Sequence, residues 1–570
     1  MDRQIADYPR PLLYRKDWTN LNGEWDFAFD DENIGLSEGW QSGFEPGRSI
    51  CVPFSYETKA SGIGDETVHE TVWYQKRIST ETVAETETVL LHFEGCDYRA
   101  SVYANGILLG THTGGYARFS FDLAPALPAK EVLLVIRAED SLSQKQPRGK
   151  QRYKPESWGC WYVQTTGIWK TVWYERVSKA RVTSLDILPD PATGEVKFLT
   201  SQTDPSAKLY VSVYENERMI AGTEGTKLTV PSPKLWSPKD PFLYTVRAEL
   251  YLEGKRTDTV QSYFGFRTIT WNQSGLQING CRTYLRMVLD QGYWPDSGLT
   301  PPDTGALITD LDAVERYGYN GVRKHQKIED ERFLYLCDIR GILVFSEMAA
   351  AYAYDEEADT EFCRQWNEIV LQNRRHPCII AWVPFNESWG VGGIRSDKQQ
   401  QDFVNRVAAI TKSLDPQRPV VSNDGWEHTV SDLVTIHDYR ETGEELLAQH
   451  GNGDEAVIKG EHSYSWYGQK LFAEGYSYRN QPLLLSEYGG IAMQTESGWG
   501  YGKQAADEDA FLQRFLGQNE AIREMPQYSG FCYTQLTDVE QEKNGLLDAD
   551  RRDKLSEAGI ESIRASNASF

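Results

Sequence analysis

The sequence predicts a multidomain chain: a jelly-roll β-sandwich, an immunoglobulin-like β-sandwich and a (β/α)8 TIM barrel, in that order. Three observations predict it. The chain has 570 residues, too many for one core. Up to residue 268, short runs rich in Val, Leu, Tyr and Phe alternate with turns. Beyond it, strand-like and helix-like segments alternate for roughly 300 residues, the pattern of a parallel barrel.

Residues 1–178 form the first sandwich. Thr88–Phe93, Ala100–Ala104 and Val132–Ile136 read as strands, and Asn105-Gly106 is a strong hairpin turn. Residues 145–158 are polar and basic, with Pro147, Gly149 and Pro155. Such a long loop is often functional, and it is placed to reach a neighbouring domain. Residues 179–268 form the second sandwich, with strands at Leu209–Tyr214 and Tyr244–Tyr251; this stretch has no cysteine, so no inter-sheet disulfide can form. Residues 269–570 form the barrel. Helices are expected over Ala306–Tyr317, Arg332–Ile339, Glu361–Arg375, Lys398–Ser413 and Asp507–Glu524. Strands are expected at Gly318–Arg323, Ile342–Phe345, Ile379–Phe385, Pro419–Ser422, Leu433–Tyr439, Pro482–Glu487 and Ser529–Thr534.

Composition narrows the partners. A net charge of −24 disfavours nucleic acid and anionic membrane surfaces. The 17 Trp and 31 Tyr suit stacking on sugar rings as well as a β-rich core. None of the eight cysteines forms a CxxC pair, so no metal is expected. The Met-Asp-Arg-Gln-Ile start has no apolar stretch, which reads as cytoplasmic. No cofactor is expected, and a homo-oligomer is compatible with the sequence.

Two segments share one design. Ile379–Gly390 and Pro482–Gly490 are apolar runs that each end in a glutamate, an aromatic and a glycine. A buried parallel strand has this form, and its C-terminal end is where a barrel places chemistry. Glu387 and Glu487 therefore face one cleft, and a carboxylate pair across a cleft is what glycoside hydrolysis needs. Asn386 puts an amide beside the first acid, able to hydrogen-bond a sugar hydroxyl. Arg323, Lys324 and His325 crowd three basic groups at another strand end.

With these segments on the page, the chain resembles glycoside hydrolase family 2. The resemblance covers Gly23-Glu24-Trp25, Phe93-Glu94-Gly95, Thr166-Gly167-Ile168-Trp169, Phe264-Gly265-Phe266-Arg267, Asn320-Gly321-Val322-Arg323, Asn386-Glu387-Ser388 and Glu487-Tyr488-Gly489. It implies a retaining exo-glycosidase with Glu387 as acid/base and Glu487 as nucleophile. It further implies Asn386 as the ligand of the 2-hydroxyl and Tyr439 beside the nucleophile. Departures concern the sugar. The usual histidine after the Asn-x-Val motif falls on Gln326. An aspartate common in the first domain is Trp161, which cannot accept a hydrogen bond from a sugar. A barrel tryptophan is Tyr533. The Asn-x-Lys pair of many β-glucuronidases is not evident in Gln541–Gly545, though Lys324 or Lys543 could meet a carboxylate. Trp389, Trp466, Trp499 and Tyr501 are candidates for a leaving-group channel. The expected substrate is a small carbohydrate glycoside: a galactoside first, an α-L-arabinoside (pyranoside or furanoside) second, a glucuronide third. A non-catalytic carbohydrate-binding protein is the rival class, and two intact glutamates argue against it.

Overall fold

The computed structural model describes residues 7–81, 83–451, 469–494 and 497–570. In the first sandwich a six-stranded antiparallel sheet runs in the order Arg48–Val52, Gly23–Phe29, Thr71–Ser79, Glu131–Glu139, Arg99–Ala104, Ile107–Thr113. It faces a four-stranded sheet of Trp18–Asn20, Val172–Ser178, Glu87–Phe93 and Phe119–Asp122. Val132, Leu134 and Ile136 from one sheet and Val89, Leu91 and Phe93 from the other share a single core, as period-two side chains on facing sheets must. Asn105 and Gly106, with φ of 49° and 80°, make the expected tight turn.

The second sandwich pairs a three-stranded sheet (Val182–Pro189, Glu195–Gln202, Lys227–Thr229) with a four-stranded one (Arg218–Glu224, Lys208–Glu215, Tyr244–Leu252, Lys255–Phe264). Tyr244, Val246, Ala248 and Leu250 alternate inward, which is the register their sequence demanded. Arg15 ties the sandwiches together, bonding Glu175 at 2.9 Å and Asp258 at 2.9 Å.

In the barrel, seven parallel strands are regular among the described residues: β1 Leu285–Asp290, β2 Gly321–Lys324, β3 Leu343–Glu347, β4 Ile379–Val383, β5 Val434–Asp438, β6 Leu483–Gly489 and β7 Tyr528–Thr534. They run in the order β4-β3-β2-β1-β7-β6-β5. The gap between β4 and β5 is filled by residues 420–424. This stretch bridges β4 through Trp382↔Val420 and Asn386↔Asp424 but forms no regular strand. Side chains replace part of its ladder: Ser431 Oγ accepts from Ser422 N at 3.1 Å. Helices α1 Thr304–Arg316, α2 Glu331–Arg340, α3 Glu356–Asn373, α4 Lys398–Leu414, α5 Gly443–His450, α6 Glu508–Arg523 and α7 Glu557–Ala568 are spaced along the same part of the chain. Helix α3 begins before the expected Glu361, because Asp355 caps it by accepting from Ala358 N.

The long loop of the first sandwich does leave its own domain. Arg148 N and Gly149 N donate to Ala350 O at 2.9 and 3.1 Å, and Tyr352 N donates to Gln144 O at 2.7 Å. Gly149 has φ +61°, and a Cβ there would stand 2.2 Å from the Gln326 carbonyl oxygen. Only glycine permits both that backbone conformation and that approach to the barrel.

Candidate active site

Glu487 lies inside β6 and Glu387 just beyond β4. Parallel register sets His437 of β5 beside Glu487, and Asp424 is bridged to Asn386. Glu387 and Ser388 adopt φ of 51° and 60°, a left-handed conformation uncommon outside glycine. Glu387 N donates to Asp424 O at 2.9 Å and Ser388 N to Asn423 Oδ1 at 3.0 Å, which pins this turn.

Ligand atoms of Glu387, His437 and Glu487 all lie within 4.8 Å of one another. His437 Nδ1 is 2.7 Å from Glu387 Oε1, and its Nε2 is 3.4 Å from Asp424 Oδ2 and 3.5 Å from Glu487 Oε1. Arg323, fully buried beneath the pair, donates to Glu487 Oε1 at 2.5 Å, Glu347 Oε2 at 2.7 Å and Asn386 Oδ1 at 2.7 Å. The Tyr439 hydroxyl donates to Glu487 Oε2, and its ring stacks on Tyr501 at 3.5 Å. Asn386 Nδ2 is buried without a partner, a donor left over for a ligand.

These contacts drive the two carboxyls apart. Burial would raise Glu487, but the His437 and Arg323 charges and the Tyr439 hydroxyl bring it down to about 2. Burial raises Glu387, and the nearby Glu487 charge adds to the rise against the pull of His437. Burial would lower His437, yet the Glu487 charge and hydrogen bonds to Asp424 and Glu387 carry it up to about 10. His437 is thus an imidazolium between two carboxyls. Glu387, His437 and Glu487 also have the atoms to ligate a cation, which would have to displace the His437 proton.

The expected residues divide. Trp161 arrives from the first sandwich, stacks on Trp158 at 4.2 Å and lies 5.8 Å from Trp389. His325 is 6.3 Å from Trp389; burial, then Lys150 and Arg323, hold its pKa well below the usual value. Three residues expected to meet the substrate are not brought to the cleft. Lys324 points away from Arg323, as alternate strand residues must, and bonds Asp290 at 2.8 Å and Glu329 at 2.6 Å. Gln326 is spent on Glu347 at 2.9 Å and Ala350 N at 2.7 Å. Tyr533 faces outward against Phe515 of α6, while the next residue, Thr534, reaches Glu487 Oε2 at 3.5 Å. Trp499 donates to Gly159 O at 2.8 Å; Trp466 lies outside the described residues.

Sequence reasoning missed His437, Asp424, Glu347, Lys150 and Glu542. His437 was findable, because it lies two residues before Tyr439 and so on the same strand face. Lys150 sits in the basic loop already singled out. Its side chain lies over Trp389, 3.9 Å from Glu542 Oε2.

A barrel with a carboxylate pair at its strand ends and two sandwiches preceding it is a recognisable class of architecture, and comparison with known proteins places it. Residues 18–143 match the glycosyl hydrolases family 2 sugar binding domain, 174–267 the family's middle domain and 273–557 its TIM barrel domain. The chain belongs to glycosyl hydrolases family 2. A β-galactosidase of Thermoanaerobacter pseudethanolicus is 25% identical over 443 residues, 74% of this chain and 55% of that protein. A β-glucuronidase of Paenibacillus borealis is 23% identical over 451 residues, 72% of this chain and 74% of that protein. The chain spans about half the length of the first curated relatives it matches. A solved β-glucuronidase from an uncultured Clostridium superposes with a TM-score of 0.80 at 18% identity, covering 98% of this chain and 99% of that one. The Bifidobacterium dentium β-glucuronidase complexed with coumarin-3-O-glucuronide gives 0.80 at 19%, covering 99% and 98%.

Proposed function

We propose that the protein is a retaining exo-glycosidase that removes a terminal β-galactoside-type sugar. The observation that carries the reaction is the close spacing of Glu387 and Glu487, with oxygens within 4.8 Å. Retaining enzymes hold their carboxyls about 5–5.5 Å apart, and inverting ones need about 6.5–9.5 Å to admit a water. The opposite pKa directions suit the roles: Glu487 is lowered, as an attacking carboxylate needs, and Glu387 is raised, as a proton donor needs.

Glu487 attacks the anomeric carbon as Glu387 protonates the departing glycosidic oxygen, leaving a glycosyl ester and an alcohol. That ester removes the negative charge beside Glu387, which then takes a proton from water as the water displaces Glu487. Arg323, His437 and Tyr439 stabilise the Glu487 carboxylate before attack and after release. The free Asn386 amide is available to a sugar hydroxyl. Curated β-galactosidase relatives support the galactoside. Curated β-glucuronidase relatives favour a second reading, the glucuronide.

A panel of nitrophenyl glycosides tests the reaction and the sugar together. Glu387→Gln should cut kcat/KM by roughly 10²–10⁴-fold. Glu487→Gly should be inactive until azide is added, and the azide product should have inverted configuration. Azide with Glu387→Ala should give the retained product. Activity surviving in Glu487→Gly without azide would remove that residue as nucleophile.

A further inference from the structure

Lys150 reaches the cleft from outside the barrel, and its neighbours are pinned. Gly149 is held by Ala350 and by the Tyr352 hydroxyl at 2.5 Å. Gln151 donates to Asp97 at 2.8 Å and to Tyr116 at 3.2 Å, and Tyr162 N donates to the Lys150 carbonyl at 2.8 Å. The side chain so aimed is 7% exposed, with Nζ 5.3 Å from the Trp389 ring centre. Nζ hydrogen-bonds no oxygen among the described residues. Its neighbours are the Cys160 thiol and, 3.9 Å away, Glu542 Oε2. Burial lowers its pKa, but Cys160, Glu542, Glu487 and Glu387 together outweigh burial and raise it.

A buried ammonium with spare donors is costly unless a ligand supplies acceptors. The charge around it decides which ligand. Glu542 faces this ammonium while Arg323 and His437 already meet Glu487, so a uronate on Lys150 would compete with the carboxylate the ammonium already faces. A hydroxyl suits the gap, because it accepts from Nζ and donates to Glu542 in one place. Glu542 is fixed for that task by the Tyr162 hydroxyl and by Gln291 at 3.3 Å. We infer that Lys150 and Glu542 together bind a hydroxyl of a neutral sugar in the catalytic cleft and select neutral glycosides over uronides. This rests on the glycosidase reading above.

The test compares kcat/KM for nitrophenyl β-galactoside, α-L-arabinopyranoside and β-glucuronide in wild type, Lys150→Met, Lys150→Arg and Glu542→Gln. Wild type should prefer a neutral glycoside. Lys150→Met should lose roughly 10–100-fold on it, with Tm unchanged, since that is the worth of a charged hydrogen bond. Lys150→Arg should recover part of the loss, and Glu542→Gln should narrow the margin over the glucuronide. Preference for the glucuronide in wild type, or a neutral-glycoside loss within about twofold in Lys150→Met, would overturn the inference and leave the retaining-glycosidase reading standing. A wild type inactive on every glycoside would overturn the glycosidase reading and the inference with it.

Discussion

His437 couples the two carboxyls through one proton. Its charge lowers both Glu387 and Glu487, and they in turn carry it up to about 10. Removing that charge should raise both. On the proposed roles activity requires Glu487 ionised, so the acid limb of a pH profile follows Glu487 and moves upward. It requires Glu387 protonated, so the alkaline limb follows Glu387 and moves upward too. His437→Asn should therefore shift both limbs of kcat/KM to higher pH. A residue that only filled space would lower the whole profile without moving it.

At the scale of elements, the loop that carries Lys150 depends on one glycine. Gly149→Ala would force a Cβ to within 2.2 Å of the Gln326 carbonyl at a φ of +61°. Loop and barrel must then part, and activity should fall at least tenfold, with a Tm change much smaller than a core cavity would give. Limited proteolysis should cut the variant within residues 144–164. The strands and helices themselves were largely legible in the sequence, because apolar period reports burial directly. Strand β1 went unread because Arg286 and Asp290 leave only Met287–Leu289 as an unbroken apolar run. The stretch from Pro419 to Ser422 read as a strand, but its ladder is made partly by side chains, as at Ser431, which no period reveals. In the site, Glu387, Glu487, Asn386 and Tyr439 were legible because each follows an apolar run or a motif. Lys324 and Tyr533 were misplaced by one step of a two-residue period. Their neighbours Arg323 and Thr534 hold the inward position. Lys150 and Glu542 meet only through the fold.

Across the whole molecule, the three units share buried charge as well as apolar surface. Arg15 is 6% exposed between Glu175 and Asp258, and Arg374 and Arg375 both bond Asp186 of the second sandwich. Trp236 donates to Asp338 O at 2.7 Å, across to the barrel. Such contacts couple the three cores, so the wild type should unfold in a single calorimetric transition. Arg15→Ala takes the guanidinium from two buried carboxylates, leaving them only His92 and backbone N–H donors, and should cost about 3 kcal/mol. Calorimetry should show the single wild-type transition broaden or split as the sandwiches uncouple.

The loop bridging sandwich and barrel also divides the inheritance of this enzyme. The two glutamates belong to one stretch of gene, and the ammonium above Trp389 belongs to another that builds its own sandwich. If Lys150 selects the sugar as inferred, exchanging the second stretch changes the substrate and leaves the two glutamates in place.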